Sequence, residues 1–356
     1  MQIQIIGPHD AAWAQALART PHDVYHTAAY VATEGRRIDA EPAAVVATCG
    51  EQQLFLPYLL RSCDQFADSC ESVSDIVSPY GYPGLLLNDA GRDPEFAAVA
   101  WSAIVAAWKN AGVCSAFPRM HPILSAGIEE FLPEAGLLKT GLTVAADLQL
   151  DEQALWMGLG HNHRRSLERC RKQDFTARFV PLTEHLEPYR DVYNQTMDRV
   201  KAKDVYYFDE AYFRELSQQP DVHCCIVEAE NRIAAACLFF ESHGIVQAHL
   251  GGSANDYYRH SPFHLCLYHA ILWAKSRGNR WLHFGGGVGG DNDPLFHFKA
   301  GFSDVRFTYH TARLVLDERR YRQLVESAAA AMNTSAADLL ANDFFPVYRS
   351  LRFEKV

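Results

Sequence analysis

Leu282-His283-Phe284-Gly285-Gly286-Gly287-Val288-Gly289-Gly290, followed after two residues by Asp293-Pro294-Leu295-Phe296-His297-Phe298-Lys299-Ala300-Gly301-Phe302, reads as a short strand, a glycine loop and a short aromatic helix. The loop formally matches G-x-G-x-x-G. A dinucleotide-binding fold would need a long helix opening directly behind the last glycine, inside a βαβ unit. Asp291-Asn292-Asp293-Pro294 stands there instead, and the helix after it is short. The dinucleotide reading fails on that context. The glycines then serve either a tight bend beside a ligand or a purely structural turn.

Upstream, Val222–Glu228, Ile233–Glu241 and Ile245–Gly251 alternate as a three-strand meander, with turns at Glu230-Asn231 and His243-Gly244. A helix over Phe263–Arg277 stops at Gly278, the strand Trp281–Phe284 follows, and Arg306–Leu316 reads as a last strand. Helices are expected ahead of this core over Glu152–Lys172, Glu184–Val200 and Glu210–Gln218. The third has Asp209 as N-cap, with Phe208 and Phe213 as a hydrophobic staple. The first half repeats the order without sequence identity. Ala43–Cys49 and Gln53–Arg61 form a hairpin, and Ser74–Val77 and Tyr82–Leu87 are strands. The helix Asp93–Asn110 carries Phe96, Val99, Ala100, Ile104 and Trp108 at helical spacing. The strand Cys114–Phe117, a helix near Ala126–Ala135 and the strand Leu142–Leu150 complete it.

Meander, helix, strand, helix, strand is a mixed α/β (α+β) order, not the strict alternation of a doubly wound parallel sheet. Two such passes in 356 residues give two domains, 1–150 and 151–316, each a mixed, largely antiparallel sheet flanked by helices. Residues 317–356 form a tail whose Phe344-Phe345-Pro346-Val347 cluster is expected to dock on the N-terminal domain.

Hydrophobic residues make up 48% and charged residues 21%, ordinary for a globular protein. No apolar run reaches the ~18–20 residues of a membrane span. The N-terminus shows no basic segment leading into an apolar one, so a cytoplasmic protein is expected. Nine cysteines, an odd number without a C-x-x-C pair, fit buried free thiols. A net charge of −10 opposes non-specific binding to DNA, so any nucleic-acid contact requires a local basic patch.

The stretch Leu282–Phe302, with Ser78-Pro79-Tyr80-Gly81-Tyr82 and Arg164-Arg165-Ser166-Leu167-Glu168, resembles the FemABX-like branch of the acetyltransferase (GNAT) superfamily. The resemblance runs from about Ala28 to Leu316. It implies tandem GNAT-like domains, with C-terminal residues returning to the first. It also implies transfer of an amino acid from aminoacyl-tRNA to an amine of a cell-wall precursor or a peptide natural product, with no cofactor. Peptidoglycan-acting members resemble Q-S-x-x-W-A-x-V-K near the N-terminus, where the lysine meets a substrate phosphate. This chain has Glu34 at that lysine position, which argues against a diphosphate-linked acceptor.

An acetyl-CoA-dependent relative should carry a glycine-rich turn whose amides meet the pyrophosphate at a helix N-terminus. The corresponding segment here is Arg259-His260-Ser261-Pro262-Phe263-His264. Pro262 has no N–H to give, and His264 puts bulk where close backbone approach is needed. Pro262 also reads as the first helical residue behind Ser261 as N-cap. Both readings disfavour CoA.

Aminoacyl transfer needs groups that stabilise a tetrahedral oxyanion and receive a proton. Lys299, in its aromatic setting, takes the cationic role that the resemblance gives the matching lysine; otherwise it is a snorkelling surface residue. Asp256 and His264 are candidate bases, or structural hydrogen-bonding residues. Arg199 shares a helix stripe with Val192 and Thr196 and matches an acceptor-phosphate arginine, or else it serves the helix C-terminus. Tyr80, Tyr82, Tyr257, Gly286, Gly287 and Phe298 are candidates for lining the substrate cleft. Arg164, Arg165, Arg169, Arg171 and Lys172 form a basic cluster that suits tRNA, or a solvated helix face. No metal-ligand spacing occurs. The competing functions are an acyl-CoA-dependent N-acyltransferase and a catalytically silent binding protein on the same scaffold.

Overall fold

The computed structural model describes residues 1–66, 73–132 and 136–350. The chain divides into two compact units, one of residues 1–139 with 310–356 and one of residues 140–309. No helix among the described residues is long and apolar enough to cross a membrane.

In the first unit the strands run in the order Gln2–Ile6, Glu41–Cys49, Gln52–Ser62, Ser74–Val77, Val113–Phe117, Leu314–Val315. The expected hairpin forms, with Cys49 opposite Gln52 and Gly50 in the turn at φ 58°. The expected strand over Tyr82–Leu87 shrinks to Leu86–Leu87. The Pro94–Asn110 helix starts on Asp93, whose side chain accepts from the Glu95 amide. Its buried face is Phe96, Ala97, Ala100, Trp101, Ile104 and Trp108, while Val99 is exposed. The i, i+4 repeat from Phe96 sets that stripe, and Trp101 takes the place assigned to Val99. Of the helix expected near Ala126–Ala135 the structure gives Ile128–Phe131, and residues 133–135 lie outside the described residues.

Asp75 is fully buried and holds this unit's C-terminal segment. One of its oxygens accepts from Arg61 Nε at 2.7 Å; the other accepts from Tyr348 Oη at 2.8 Å and from Arg349 Nε. Two guanidinium groups, the half-buried one of Arg61 and the buried one of Arg349, thus share one carboxylate, an arrangement that fails if the anion is removed.

In the second unit the sheet passes through Leu137–Asp147, Trp281–Gly285, Ile245–Ser253, Arg232–Ser242, Val222–Ala229 and Thr176–Val180. All neighbours are antiparallel except Ile245–Ser253 beside Trp281–Gly285. That parallel pair matches Ile245–Gln247 with Trp281–His283 and then parts. The Ile245–Ser253 strand goes on to Ser253 against Ala235 of its other neighbour, leaving a split in the sheet.

The Pro262–Ser276 helix packs on this sheet through Leu265, Cys266, Ala270, Ile271 and Ala274. Asp209 caps its helix by accepting from the Tyr212 amide, and Phe208 lies 6.1 Å edge-on from Phe213, as the cap and staple required. The single helix expected over Glu152–Lys172 is two, Glu152–Gly158 and His161–Lys172. Leu159 and Gly160 are extended between them, because flanking glycines weaken the helix there. The edge strands Gln2–Ile6 and Thr176–Val180 had no counterpart in the sequence reading. The expected Arg306–Leu316 strand is broken into Arg306–Ala312 and Leu314–Val315.

Candidate active site

Lys299 lies near the end of the Pro294–Ala300 helix, which Asp293 caps by accepting from the Phe296 amide at 2.8 Å. The Lys299 ammonium donates to the Gly286 carbonyl at 2.6 Å. Gly286 follows directly on the Trp281–Gly285 strand, the strand that parts from Ile245–Ser253, so the cation is placed at that split. Burial lowers the Lys299 pKa to about 8, against the pull of the Asp293 carboxylate and the Cys237 thiol. An ammonium with one donor on a carbonyl keeps two further N–H donors, and it is more acidic than a solvated lysine. Such a group can donate to a developing oxyanion.

The glycine loop is shaped by close packing. A Cβ on Gly286 would lie 2.7 Å from the Leu142 carbonyl oxygen, and one on Gly287 would lie 2.1 Å from the Asp291 carbonyl oxygen and 2.5 Å from Asp293 Oδ1. Gly290, at φ 95°, packs on Thr140 and leaves no room for a Cβ on Gly141. The loop is a tight bend fixed against the neighbouring strand, with the Gly286 carbonyl turned to Lys299.

Behind Lys299 the rings of Phe298, Phe302, His163 and His264 pack together. His163 meets both His264 and Phe302 edge-on at 4.5 Å, and its Nε2 bonds the Phe298 carbonyl at 2.8 Å. Phe298 also stacks on Phe263 at 6.0 Å. Gly301 makes room for the His163 ring, since a Cβ there would sit 2.2 Å from Cε1. Burial, with a smaller contribution from His163, lowers the His264 pKa to about 4, so this imidazole is neutral near pH 7. Its Nδ1 is buried without a hydrogen-bond partner.

The turn ahead of Phe263 points its carbonyls, not its amides, at the adjoining helix. Cys170 of the His161–Lys172 helix donates its thiol to the carbonyls of His260 and Ser261 at 3.3 and 3.7 Å. Arg169 Nη1 donates to the Arg259 carbonyl at 3.3 Å, and His260 Nδ1 bonds Gln173 Oε1 at 2.8 Å. Ser261 is left-handed at φ 65° and makes no side-chain cap, contrary to its reading as N-cap; that backbone turns its hydroxyl away from the helix amides.

Arg199 is heavily engaged. Its terminal nitrogens donate to Asn255 Oδ1 at 2.5 Å, Thr196 Oγ1 at 2.9 Å and the carbonyls of Ser253 at 3.1 Å and Gln195 at 3.4 Å. The guanidinium lies 4.9 Å from the Tyr258 ring centroid. Thr196 reaches the Ser253 backbone across Gly252, where a Cβ would lie 2.2 Å from its hydroxyl. This geometry braces the free end of the parted Ile245–Ser253 strand.

Asp256 is exposed and paired with Arg232 at 2.9 Å. Tyr257 is buried against Phe175 and faced by Arg232. Of the basic cluster, Arg165, Arg169, Arg171 and Lys172 are exposed, Arg171 lies over Trp156, and Arg164 donates to the Met157 and Leu159 carbonyls. Tyr80 and Tyr82 belong to the first unit. There the Glu34 carboxylate, fully buried, takes a two-pronged bond from Arg37 and accepts from the Tyr80 amide at 3.0 Å. Glu34 therefore holds the Ser78–Tyr82 loop. Among the described residues no group of His, Cys, Asp and Glu side chains could hold a metal ion.

Asp293, Cys237 and His163 stand near Lys299 although the sequence pattern gives none of them a place at the site. Asp293 could have been found from Asp-Pro at a helix start. The other two become visible only when the strands and helices meet.

Residues 161–300 match the family model described as an acetyltransferase (GNAT) domain. Among solved structures, FemX aligns with a TM-score of 0.65 at 13% identity, covering 90% of this chain and 99% of that one. L-PGS from Bacillus licheniformis aligns at 0.56 and 14% identity, covering 90% and 98%. No curated protein matches the chain in sequence. At such identities the structural likeness is one of fold. The chain thus carries an acetyltransferase (GNAT) domain in its second unit and, over most of its length, the fold of FemX, in keeping with the FemABX-like GNAT branch that its sequence resembles.

Proposed function

We propose that this protein is an acyltransferase that moves an amino acid from aminoacyl-tRNA to an amine of a small peptide-like acceptor. The amine attacks the ester carbonyl, and Lys299 donates to the oxyanion that forms. Collapse expels the ribose hydroxyl of the tRNA, which leaves with the proton given up by the amine. The ester is already activated, so positioning and one well-placed cation can carry much of the barrier. Losing one such donor costs about 10²–10³ in rate.

The observation that carries the donor assignment is the turn at Arg259–His264. Pro262 has no amide hydrogen, and the preceding carbonyls are bound to the adjoining helix. A turn tied to that helix and lacking one amide offers a diphosphate fewer donors than a glycine-rich turn would. The exposed arginines of the His161–Lys172 helix support an RNA contact, because phosphate binding needs a local basic face on a chain of net charge −10. Arg199, in this reading, keeps the Ser253 end of the split sheet in place. With Glu34 committed to the Ser78–Tyr82 loop, the acceptor need not be diphosphate-linked.

The match of residues 161–300 to an acetyltransferase domain favours a second reading, an acyl-CoA-dependent N-acyltransferase. The test is a transfer assay with a panel of charged tRNAs and candidate amines, run beside acyl-CoA thioesters. Ribonuclease-sensitive amide formation that disappears in Lys299→Ala supports the proposal. Transfer from CoA alone replaces it with the second reading. Undiminished activity in Lys299→Ala removes Lys299 from the chemistry, and inactivity with every donor leaves a binding protein on this scaffold.

A further inference from the structure

We infer that Asp293 is a positioning residue that fixes the direction of the Lys299 ammonium by clamping the glycine loop to the helix carrying the lysine. This inference rests on the role proposed for Lys299. An ordinary N-cap at this place has one task, to accept from the amide three residues on, and Asp293 Oδ1 does so with Phe296 at 2.8 Å. The second oxygen does something a cap does not require. Oδ2 reaches back five residues and accepts from the Val288 amide at 2.9 Å, inside the loop whose Gly286 carbonyl receives the Lys299 ammonium at 2.6 Å. The carboxylate lies against the bare α-carbon of Gly287, where a Cβ would come within 2.5 Å of Oδ1. Loop, carboxylate, helix and ammonium thus form a closed ring of contacts. A shift of Asp293 moves both the carbonyl that aims the lysine and the helix that carries it.

The charges around the lysine agree with the geometry. Two ionisable groups act on it, Asp293 from its own helix and the Cys237 thiol from the Arg232–Ser242 strand. Burial pushes the Cys237 thiol far up, so it stays neutral. Asp293 is therefore the anion of the pair. Burial alone would raise its pKa, but the Phe296 and Val288 amides and the Lys299 charge hold it below the usual carboxylate range. The carboxylate keeps the proton on a desolvated ammonium as well as aiming it.

The test compares wild type with Asp293→Ser, Asp293→Asn and Gly287→Ala. Serine preserves the helix cap while removing both the charge and the reach to Val288. The Lys299 titration midpoint is read by NMR of ¹³C,¹⁵N-labelled lysine, with the signal assigned from Lys299→Arg. This measurement needs no acyl donor, so it stands even if the proposed reaction is wrong. We expect the midpoint to fall by about one pH unit in Asp293→Ser and Asp293→Asn, the size of effect an adjacent opposite charge produces. In the transfer assay kcat falls tenfold or more at pH 7 with little change in KM for the acceptor, and the alkaline limb of the rate profile moves with the midpoint. Gly287→Ala, which drives a methyl group into the carboxylate, changes kcat in the same direction. An Asp293→Ser protein with the wild-type midpoint and wild-type kcat would reduce Asp293 to a helix cap and overturn the inference.

Discussion

Replacing Lys299 by methionine should make the protein less active and, at neutral pH, more stable. Methionine nearly matches the lysine stem in length and brings no charge. In the unfolded chain the lysine keeps its proton up to pH 10.5, whereas in the folded protein it gives the proton up from about 8. Below pH 8 both states are protonated and the folded one bears the full cost of the desolvated cation. That difference corresponds to about 3 kcal/mol. Partial solvent access to the side chain reduces it to about 2 kcal/mol, and loss of the bond to the Gly286 carbonyl takes back about 1 kcal/mol. Between pH 8 and 10.5 the unfolded state binds more protons, so wild-type stability from this group rises with pH. Lys299→Met lacks this dependence. Urea unfolding of both proteins at pH 7, 8, 9 and 9.5 should show the variant ahead by about 1 kcal/mol at pH 7. That lead should shrink as the pH rises toward 10.5. A stability difference that stays constant over this range would refute the claim that Lys299 carries a desolvated charge.

Gly301→Ala, which places a Cβ 2.2 Å from His163 Cε1, should lower stability by about 1–3 kcal/mol, and the double variant with His163→Ala should lose less than the two single changes added together in a thermal-unfolding cycle. Gly252→Ala meets Thr196 Oγ1 at 2.2 Å and should lower both the melting temperature and transfer activity; in a Thr196→Ala background the same change should cost much less. Asp75→Ala strands the Arg61 and Arg349 guanidinium groups in the first unit and should cost about 3–5 kcal/mol in urea unfolding, far more than an exposed pair such as Arg232–Asp256 would.

The meander, the helix after it and the strand leading to the glycine loop were legible because period-two alternation and stop signals are local. So was the Asp209 cap with its phenylalanine staple. The break at Leu159-Gly160 was signalled by Gly158 and Gly160, but the helix formers on either side of those glycines read as one continuous helix. Trp101 is buried where Val99 was expected, because a helical stripe fixes its direction only when it meets a sheet. At the site, Lys299 could be singled out in its aromatic setting, but its partners could not. The Gly286 carbonyl, the Cys237 thiol and the His163 ring reach that neighbourhood from three separate elements. Asp256, read as a possible base, pairs with Arg232 at the surface, and no local pattern announced that partner twenty-four residues away.

The donor assignment turns on whether the turn before Phe263, with no amide hydrogen at Pro262, can accept a diphosphate. Calorimetric titration of the wild-type protein with acetyl-CoA at physiological salt examines that point without reference to any acceptor. No saturable heat is expected. Micromolar binding, with the coenzyme's diphosphate located by crystallography against the Phe263 and His264 amides, would contradict it.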